Sequence, residues 1–560
     1  MAKIVKKKKK GLRSLRGGGG SSVETSSLRP EFVEKLPPCI DNCPNHNHVR
    51  AILMTIAKAE ELEKPKDQAL EESFHLFMET TPFPSICGRV CPHPCETECN
   101  RNEKEGAVAV HEIERFIGDF ALEKGLVPRK VTSEVREEKI AVVGSGPAGM
   151  SCAYHLARYG YPVTVFEAFP KPGGMLRYGI PDYRLPPDIL DGEIDRIIDM
   201  GVELKLNTAI GKDIPMDALR SEYKAIFVGL GAHKGLQLGL EGEDSTNVFA
   251  GTDFLHRINA GEEVGIGDDV VVIGGGDTAV DAARVSRRFG AKATILYRRT
   301  RTEMPAIDEE IVGAEEEGVA LEYLAAPLEL YTHNGRATGM KCQRMELGEP
   351  DASGRRRPVP IEGDTFDLQF STLIAAISQE PDFEGFDDMH EGRDWIKIDD
   401  HKKTQDDAVY SGGDDTHLGL VIDAISEGRL AALAIHESIT GEKSFPEPSQ
   451  LGRILADKMK LGFYDEKARV APREIPDEDR LKTLSAEIVR TISEDEAVGE
   501  AKRCMSCGYC FDCGSCWSYC QDNAIIKPPI KGELYKFKME FCNGCKKCAE
   551  NCPCGYIEMH

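Results

Sequence analysis

The clearest indication of the fold is the segment Ile140-Ala-Val-Val143, followed directly by Gly144-Ser-Gly-Pro-Ala-Gly149. Four apolar residues in a row predict a buried strand, and the glycines after them predict a tight turn into a helix. Such a turn lets the backbone approach a pyrophosphate group at the N-terminus of the helix. The candidate contacts are Gly144, Ser145, Gly146, Pro147, Ala148 and Gly149.

A second strand, predicted over residues 161–166, is followed by Glu167, 23 residues after Gly144. An acidic side chain at this point is placed to accept hydrogen bonds from ribose hydroxyl groups. A glycine pattern alone is weak, but a strand, a loop, a helix, a strand and an acid in this order predict a dinucleotide-binding domain. Strands that alternate with helices further predict a parallel α/β sheet.

The same unit recurs about 130 residues later, and its following strand ends in Arg298-Arg299 instead of an acid. Paired guanidinium groups suit the 2′-phosphate of NADPH, whereas an acid favours NADH. An ordinary pair of surface arginines is the alternative. The candidate contacts are Gly274, Gly275, Gly276, Asp277, Thr278, Ala279, Arg298 and Arg299.

Two dinucleotide sites in one chain are typical of a flavin combined with a nicotinamide. Two more segments support FAD: residues 173–186, and the Gly412-Gly-Asp414 turn before a helix predicted over 424–438. An aspartate at such a turn can bind a ribityl chain, and the helix N-terminus behind it can face the flavin. Both segments could also be plain turns. The candidate contacts here are Gly174, Leu176, Arg184, Gly413 and Asp414.

Length, composition and charge limit the functional class. A chain of 560 residues and 61.7 kDa suits three or four domains. No stretch approaches the ~20 apolar residues of a membrane span, and the lysine run after Met1 lacks the apolar region of a secretory signal, so we expect neither an integral membrane segment nor export. We expect a cytoplasmic location because iron–sulfur clusters, which the cysteines of this chain predict, are sensitive to oxygen. The net charge of −24 argues against a nucleic-acid-binding protein. The charge is uneven: +8 over residues 1–30, +1 over 500–560 and −33 between.

The nineteen cysteines point to metal, because they occur in a large chain without an export signal. The runs 510–520 and 542–552 have the duplicated spacing of a bacterial ferredoxin with two clusters, in which the fourth cysteine of each run ligates the other cluster. One [4Fe–4S] cluster is assigned to Cys510, Cys513, Cys516 and Cys552. The other is assigned to Cys542, Cys545, Cys548 and Cys520. Zinc is the alternative, although structural zinc sites favour a longer spacer between two CxxC pairs.

Residues 36–440 resemble the iron–sulfur flavoproteins related to the small subunit of glutamate synthase. The motifs that carry the resemblance are CGRVCPHPCETEC, VVGSGPAGMSCA, GGMLRYGIPDYRLP, GGGDTAVDAAR, YRRTRTEMPA and SGGD. With its ferredoxin end, the chain is most similar to the oxidoreductases associated with sulfite reductase and to related NAD(P)H:acceptor subunits. It departs from the family at Ser378, where the family has glycine.

The resemblance implies two [4Fe–4S] clusters in the N-terminal domain, with a CxxC pair upstream of Cys39. That pair is absent here, but Cys504-Met-Ser-Cys507 resembles it. Our hypothesis is that it folds back to form one cluster. The alternative is that these two cysteines are unligated and that Cys39 and Cys99 hold no cluster. The first proposed ligand set is Cys39, Cys99, Cys504 and Cys507. The second is Cys43, Cys91, Cys95 and Glu114, in which Glu114 is the acidic ligand that the resemblance implies. These two sets leave Cys87, Cys152, Cys342 and Cys554 free.

The fold class expected from all this is an α/β multidomain chain with an NAD(P)-binding Rossmann-like domain inserted in an FAD-binding one. A helical Fe–S domain precedes them, and an α+β ferredoxin domain follows. The expected ranges are a disordered basic arm (1–30), the helical domain (31–130), the FAD domain (137–245 and 376–445), the NAD(P) domain (246–375), a helical linker (446–500) and the ferredoxin domain (501–560).

The expected function follows from electron counting. A nicotinamide gives up two electrons as hydride and a cluster accepts one, so a flavin between NAD(P)H and four [4Fe–4S] clusters predicts an NAD(P)H:acceptor oxidoreductase. Hydride transfer needs no acid or base, so we name no catalytic side chain. The expected partner is a sulfite reductase system or a 2-oxoacid oxidoreductase. The alternatives are the small subunit of glutamate synthase, with its large subunit as partner, and a non-catalytic electron carrier or zinc scaffold.

Overall fold

The computed structural model describes residues 26–390 and 395–560 and divides the chain into two compact units. The larger unit comprises Leu36–Leu455 and Asp465–Met505. The smaller comprises residues 26–35, Ala456–Tyr464 and Ser506–His560. The predicted α/β multidomain class is confirmed, with the second parallel sheet inserted in the sequence between strands of the first.

The N-terminal part of the larger unit is helical, as expected. Prolines begin three of its short helices, where their missing N–H is not needed. The helices are Pro38–Asp41, Val49–Ala57, Lys66–Met78, Pro84–Val90, Pro94–Thr97 and Val110–Glu123, with a 3₁₀ turn at Asn100–Glu103. Phe74, Phe77, Ile113 and Ile117 lie in its core.

The first parallel sheet has Ile140–Val143 as its central strand. Ile140 and Val142 pack in one core while Ala141 and Val143 pack in another, so the strand is buried on both faces. The strands pair in the order Val409–Ser411, Ala225–Val228, Ile140–Val143, Val163–Phe166 and Glu203–Lys205. The helices of this part are Pro147–Arg158, Met175–Tyr178, Pro187–Ile198, Met216–Glu222 and Val421–Thr440.

The second parallel sheet repeats this plan around Asp269–Ile273. Its strands pair in the order Ala320–Tyr323, Lys292–Tyr297, Asp269–Ile273, Thr372–Ala375 and Val248–Ala250. Its helices are Gly251–Asn259, Asp277–Arg288 and Asp308–Glu316, with a 3₁₀ turn at Arg301–Glu303. The sequence analysis did not foresee the three-stranded antiparallel sheet Ala325–His333, Arg336–Pro350 and Arg356–Gln369. It packs on one face of the second sheet through Leu330 and Met340. A short antiparallel strand pair, Lys234–Gly235 with Gln379–Glu380, lies in the two connections between the parts built on the two parallel sheets.

The segment 446–500 was expected to be a helical linker, and for most of its length this prediction is wrong. Pro472 and Pro476 interrupt any helix there. The segment instead forms a short hairpin, a single helical turn and then a helix whose N-terminus is capped by Ser493 and Glu496. These elements are Arg473–Glu474 paired with Val489–Arg490, Asp477–Arg480 and Glu494–Ala501.

The smaller unit is α+β, as predicted for the ferredoxin module. Its strand Pro30–Phe32 pairs with Ile557–Met559, which corrects the expectation of an arm through residue 30 and of helix from residue 31. Residues 1–25 of the predicted arm lie outside the described residues. Its other elements are Ile525–Ile526 paired with Lys536–Phe537, the helical turns Ser515–Ser518 and Lys547–Glu550, and 3₁₀ turns at Ala456–Lys458, Leu461–Phe463 and Met539–Phe541.

Candidate functional site

The first glycine loop leaves the central strand of the first sheet at its carboxyl end. A Cβ atom at Gly144 (φ +93°) would lie 2.2 Å from the Gly229 carbonyl oxygen, and one at Gly149 would lie 2.0 Å from that of Gly144. Neither position therefore accepts a side chain. Gly146 instead faces open space, with only Gly174 at 4.0 Å, so a phosphate can approach its backbone.

This loop lines a cavity of about 420 Å³. Glu167 lies on its wall and accepts hydrogen bonds from the N–H groups of Ser145 (3.0 Å) and Phe169 (2.9 Å), which fix the carboxylate. The predicted contacts that line the cavity are Gly144, Ser145, Gly146, Pro147, Ala148, Glu167, Gly174, Gly413 and Asp414. The sequence analysis missed Thr208, Lys212 and His233, which also line it and belong to no recognised motif.

Three predicted contacts lie elsewhere. Gly149 packs against the loop, and Leu176 is buried in the core. Arg184 lines neither dinucleotide cavity; its guanidinium pairs with Asp281 (2.8 Å) and Glu310 (2.9 Å). Because both partners lie on helices that pack with the second sheet, Arg184 joins the two sheet domains, and its assignment as a flavin contact stays a prediction.

Glu427 holds the Gly412–Asp414 turn in place. Its carboxylate accepts the Gly413 N–H (2.7 Å) and pairs with Lys402 (2.9 Å). Asp415 similarly accepts the Leu230 N–H at 2.9 Å. Glu427 lies on the predicted late helix, observed as Val421–Thr440, but no sequence pattern marks it as a partner of the turn.

The second glycine loop is built like the first. A Cβ atom at Gly274 (φ +147°) would lie 2.2 Å from the Ala376 carbonyl oxygen, and one at Gly275 would lie 2.5 Å from the Tyr297 ring. Gly276 faces open space, apart from Pro305 at 3.9 Å. Ala279 is buried in the core, away from the cavity. The predicted residues that line this second cavity, of about 680 Å³, are Gly274, Gly275, Gly276, Asp277, Thr278, Arg298 and Arg299.

The two arginines at the second cavity have different surroundings. Arg299 is buried; it pairs with Asp351 (2.8 Å) and donates to the Arg356 carbonyl oxygen (2.7 Å). Arg298 is exposed. A third arginine, Arg355 from the antiparallel sheet's loop, also lines the cavity. It could not be foreseen because that sheet was not predicted.

Asp414 lines both cavities, and no other residue does so among those that the structure describes. Burial raises the pKa of its carboxyl to about 6. Ser378 and Leu418 also line the second cavity. The two cavities therefore meet at the turn that the sequence assigned to the flavin.

In the N-terminal part, two glycines bring a cysteine-bearing helix against an acidic one. A Cβ atom at Gly88 would lie 2.2 Å from the Arg115 backbone nitrogen, and one at Gly118 would lie 2.2 Å from that of Ser85. The helices Pro84–Val90 and Val110–Glu123 therefore cross in backbone contact. This crossing places Cys91 next to Glu114, so that burial and the neighbouring carboxylate raise the pKa of the Cys91 thiol.

Glu114 has the chemistry of a cluster ligand. It is 4% exposed, and its Oε2 atom lies 3.3 Å from His93 Nε2. In the described part of the chain, its Oε1 atom has no hydrogen-bond partner. Cys43 and Cys91 also lie near Cys95. The pKa of the Cys95 thiol is raised mainly by burial, next by the Glu96 carboxylate and then by the thiols of Cys43 and Cys91. Three thiols and one unpartnered carboxylate oxygen fit a cluster at this point.

The start of the proposed fold-back also lies in the larger unit. Arg503 is fully buried and donates to the Ala107 carbonyl oxygen (2.9 Å), in the loop that follows Cys99. Cys39, Cys99 and Cys504 pack against the same core. Cys507 belongs to the smaller unit, and its part in this cluster stays a prediction.

In the smaller unit, some of the cysteines assigned to the same cluster lie near one another, and the two ligand sets stay predictions. Burial and the nearby thiols of Cys510, Cys513 and Cys552 raise the pKa of Cys516 to about 12. The pKa of the Cys548 thiol is raised to about 11, mainly by burial and also by the nearby thiols of Cys542 and Cys545. Cys520 accepts the Ala524 N–H at 3.2 Å. Cys554, predicted to be free, has its sulfur 3.8 Å from that of Cys552.

In residues 26–390 and 395–560, no three His, Cys, Asp or Glu side chains converge closely enough to bind a single ion. No helix in these ranges has the length and apolar character needed to cross a membrane.

Comparison with protein families matches residues 138–428 to the pyridine nucleotide-disulphide oxidoreductases and residues 34–126 to dihydropyrimidine dehydrogenase domain II, 4Fe-4S cluster. The chain is 36% identical over 520 residues to NADPH-Fe(3+) oxidoreductase subunit beta of Geobacter sulfurreducens (85% of this chain, 76% of that one). It is 36% identical over 531 residues to NADP(+)-dependent formate dehydrogenase subunit beta of Moorella thermoacetica (88% and 73%). It is 35% identical over 426 residues to the glutamate synthase [NADPH] small chain of Escherichia coli (71% and 87%).

Proposed function

Because the chain belongs to the pyridine nucleotide-disulphide oxidoreductases and carries a 4Fe-4S domain, we propose that it passes electrons between NADPH and a redox partner through FAD and four [4Fe–4S] clusters. Its class is that of an FAD- and iron–sulfur-dependent NAD(P)H oxidoreductase. The observation that carries the proposal is the meeting of the two dinucleotide cavities at Asp414. A hydride can pass only where nicotinamide and flavin are in contact.

The chain's own residues bind and orient the two nucleotides. Gly146, at the N-terminus of the helix Pro147–Arg158, offers its backbone N–H to one pyrophosphate, and Gly276 offers its own to the other. Glu167 binds the flavin-side ribose, while Glu427 fixes the turn that presents Asp414. Bound FAD supplies the change between two-electron and one-electron transfer.

The first cluster on the route is the one that Cys43, Cys91, Cys95 and Glu114 would hold. Its support is a direct contact with the flavin side of the larger unit. On the helix behind the Asp414 turn, Ser426 donates to the Pro44 carbonyl oxygen (3.0 Å) and Arg429 donates to Asn45 Oδ1 (2.7 Å). These bonds attach the Cys43 turn to that helix. The next cluster would be that of Cys39, Cys99, Cys504 and Cys507, followed by the two ferredoxin clusters.

The domain ranges and the coenzyme preference belong to the same proposal. Residues 137–245 and 376–445 would form the FAD domain, and residues 246–375 the NADPH domain. Arg298 and Arg355 at the second cavity favour NADPH, because its 2′-phosphate needs positive charge there. We place the chain in the cytoplasm because its many cysteines suit a reducing compartment.

The partner is proposed from the relatives' names and the ferredoxin module. The two relatives named as beta subunits, of NADPH-Fe(3+) oxidoreductase and of NADP(+)-dependent formate dehydrogenase, match 85% and 88% of this chain, whereas the glutamate synthase small chain matches 71%. This favours a subunit that delivers electrons to another redox protein, such as a sulfite reductase system or a 2-oxoacid oxidoreductase. The small subunit of glutamate synthase is the second candidate, and glutamine-dependent NADPH oxidation with a large subunit would identify it.

The test mixes NADPH with anaerobically purified protein and follows flavin and cluster absorbance. The proposal predicts rapid bleaching of the flavin and, with cytochrome c present, continuous one-electron reduction. Cys43→Ser is expected to leave flavin bleaching intact and to slow cytochrome c reduction by about tenfold. Cys342→Ser, at a buried cysteine of the antiparallel sheet, is the control. A flavin that stays oxidised in NADPH would contradict the proposal.

A further inference from the structure

Exposed aromatic side chains flank the cysteines of the ferredoxin module. Trp517 follows Cys516, and Tyr519 and Phe541 directly precede Cys520 and Cys542. Trp517, Tyr519 and Phe541 are 49%, 50% and 55% exposed. Large apolar surfaces left in water next to redox ligands require an explanation, because such rings are normally buried.

Each of these three rings has a lysine ammonium group near it. Lys460 Nζ lies 5.6 Å from the centre of the Tyr519 ring, and Lys527 Nζ lies 5.9 Å from that of Trp517. Lys538 Nζ lies 5.7 Å from the centre of the Phe541 ring. The pairing holds the positive charges beside the apolar surface. We call Trp517, Tyr519 and Phe541 with Lys460, Lys527 and Lys538 the aromatic–lysine face.

The neighbouring hairpin adds to the exposed apolar surface. Ile525 pairs with Phe537, and Ile525 is buried. The next pair, Ile526 and Lys536, is exposed, because successive side chains of a strand point to opposite sides. Ile530 in the connecting loop is 62% exposed. The hairpin therefore exposes the same combination of apolar and cationic groups.

We propose that the aromatic–lysine face is the docking site for an acidic electron-carrier protein. The inference rests on the proposed electron-transfer function and identifies where electrons leave the chain. Lysines around apolar rings attract an acidic rim, and the rings can then be desolvated against the partner's apolar centre. The cluster assigned to Cys542, Cys545, Cys548 and Cys520 becomes the exit cluster, because two of the three rings adjoin its ligands.

Two other binding partners for the aromatic–lysine face, the N-terminal segment and a second copy of this chain, differ in their charge. The segment 1–30 carries +8, so it has the same sign as the lysines and is repelled. A second copy of this chain would offer the acidic region between residues 30 and 500, with its charge of −33. The test therefore has to separate an acidic carrier from self-association.

The test variant reverses the charge of the three lysines of the aromatic–lysine face in the full chain: Lys460→Glu, Lys527→Glu and Lys538→Glu. Its matched control reverses three exposed lysines of the larger unit: Lys139→Glu, Lys443→Glu and Lys482→Glu. The control changes the net charge equally and breaks only surface ion pairs, which contribute little to stability. Iron content and flavin content confirm that both proteins are assembled.

The probes are a purified acidic bacterial ferredoxin and the basic protein cytochrome c. At low salt, we expect the face variant to bind the ferredoxin about tenfold more weakly and to reduce cytochrome c faster than wild type. We expect the control to match wild type within about twofold. Added salt is expected to weaken ferredoxin binding to wild type but not to the face variant.

Ferredoxin binding that is unchanged in the face variant, or weakened equally in the control, would overturn the docking site. A change of oligomeric state on gel filtration would also overturn it, by showing that the face binds a second copy. Failure of wild type to oxidise NADPH with any acceptor would instead overturn the proposed function. Binding is measured without turnover, so the two failures are distinguishable.

Discussion

Near the second glycine loop, the adjacent arginines Arg298 and Arg299 make different interactions. Arg299 is committed to Asp351 and to the backbone of the antiparallel sheet, whereas Arg298 is exposed at the cavity. The sequence treats the two as an equivalent pair, because nothing local marks Asp351 as a partner 52 residues away. We therefore assign recognition of the 2′-phosphate to Arg298 and, from the neighbouring loop, Arg355.

This division predicts a coenzyme-specific effect. Arg298→Ala and Arg355→Ala are each expected to raise KM for NADPH by about ten- to a hundredfold, because each removes a charge-assisted bond to the 2′-phosphate. KM for NADH is expected to stay within about twofold. The control is Arg357→Ala, an exposed arginine that does not line the cavity. Equal losses with both coenzymes would contradict the assignment.

Glu193 predicts a pH-dependent stability. It is fully buried and accepts the N–H groups of Ser85 and Ile86 (3.0 Å each) at the start of the helix Pro84–Val90. Burial raises its pKa to about 7. The folded state therefore holds its proton more tightly than the unfolded chain does, and stability falls as pH rises from about 4.5 to about 7. The cost above this window is about 3 kcal/mol.

Glu193→Gln removes the buried charge. We expect its apparent Tm, relative to wild type, to increase as pH rises through this window and to level off above about pH 7. Thermal scans of both proteins at a fixed rate, at several pH values between 5 and 8, measure this difference. A Tm difference that does not vary with pH would show that Glu193 does not titrate there.

At the scale of elements, the crossing of Pro84–Val90 with Val110–Glu123 determines whether the proposed Glu114 cluster can form. Gly88→Ala or Gly118→Ala would place a methyl group against backbone at 2.2 Å, which forces the helices apart. We expect each variant to lose about four iron atoms per chain. Gly499→Ala is the control, because its Cβ atom would meet nothing within 4 Å and alanine favours the helix Glu494–Ala501. Full iron content in the Gly88 and Gly118 variants would contradict this account.

The elements that the sequence predicts well are those with a local signal. The strand Ile140–Val143, its glycine loop and the following helix form a continuous pattern, and the structure has them where that pattern indicates. The late helix was expected over 424–438 and extends slightly further, to Val421–Thr440. The sequence motif also predicts glycines such as Gly144 and Gly274, because a Cβ atom at either position would clash with a backbone carbonyl oxygen.

The elements that the sequence does not predict depend on distant partners. Pro30–Phe32 becomes a strand by pairing with Ile557–Met559, more than 500 residues away, and three residues carry too little pattern to show it. Arg184 follows a family motif but is drawn to Asp281 and Glu310, since a buried guanidinium needs buried carboxylates. Glu427 was also not predicted, because it acts by accepting the N–H of Gly413, in a turn 14 residues earlier.

As a whole molecule, this one chain would connect a hydride donor to single-electron carriers. The larger unit holds both dinucleotide cavities and the N-terminal cysteines, with hydrogen bonds from the late helix to the Cys43 turn. The smaller unit holds the ferredoxin cysteines. Cys504 belongs to the larger unit and Cys507 to the smaller one.

The most direct test of this account is the content of iron, acid-labile sulfide and flavin per chain, measured on protein purified without oxygen. The account predicts about 16 iron atoms, about 16 sulfides and one FAD. About 12 iron atoms would contradict the fold-back of Cys504 and Cys507. Iron near zero, with zinc present, would contradict the electron-transfer function as a whole.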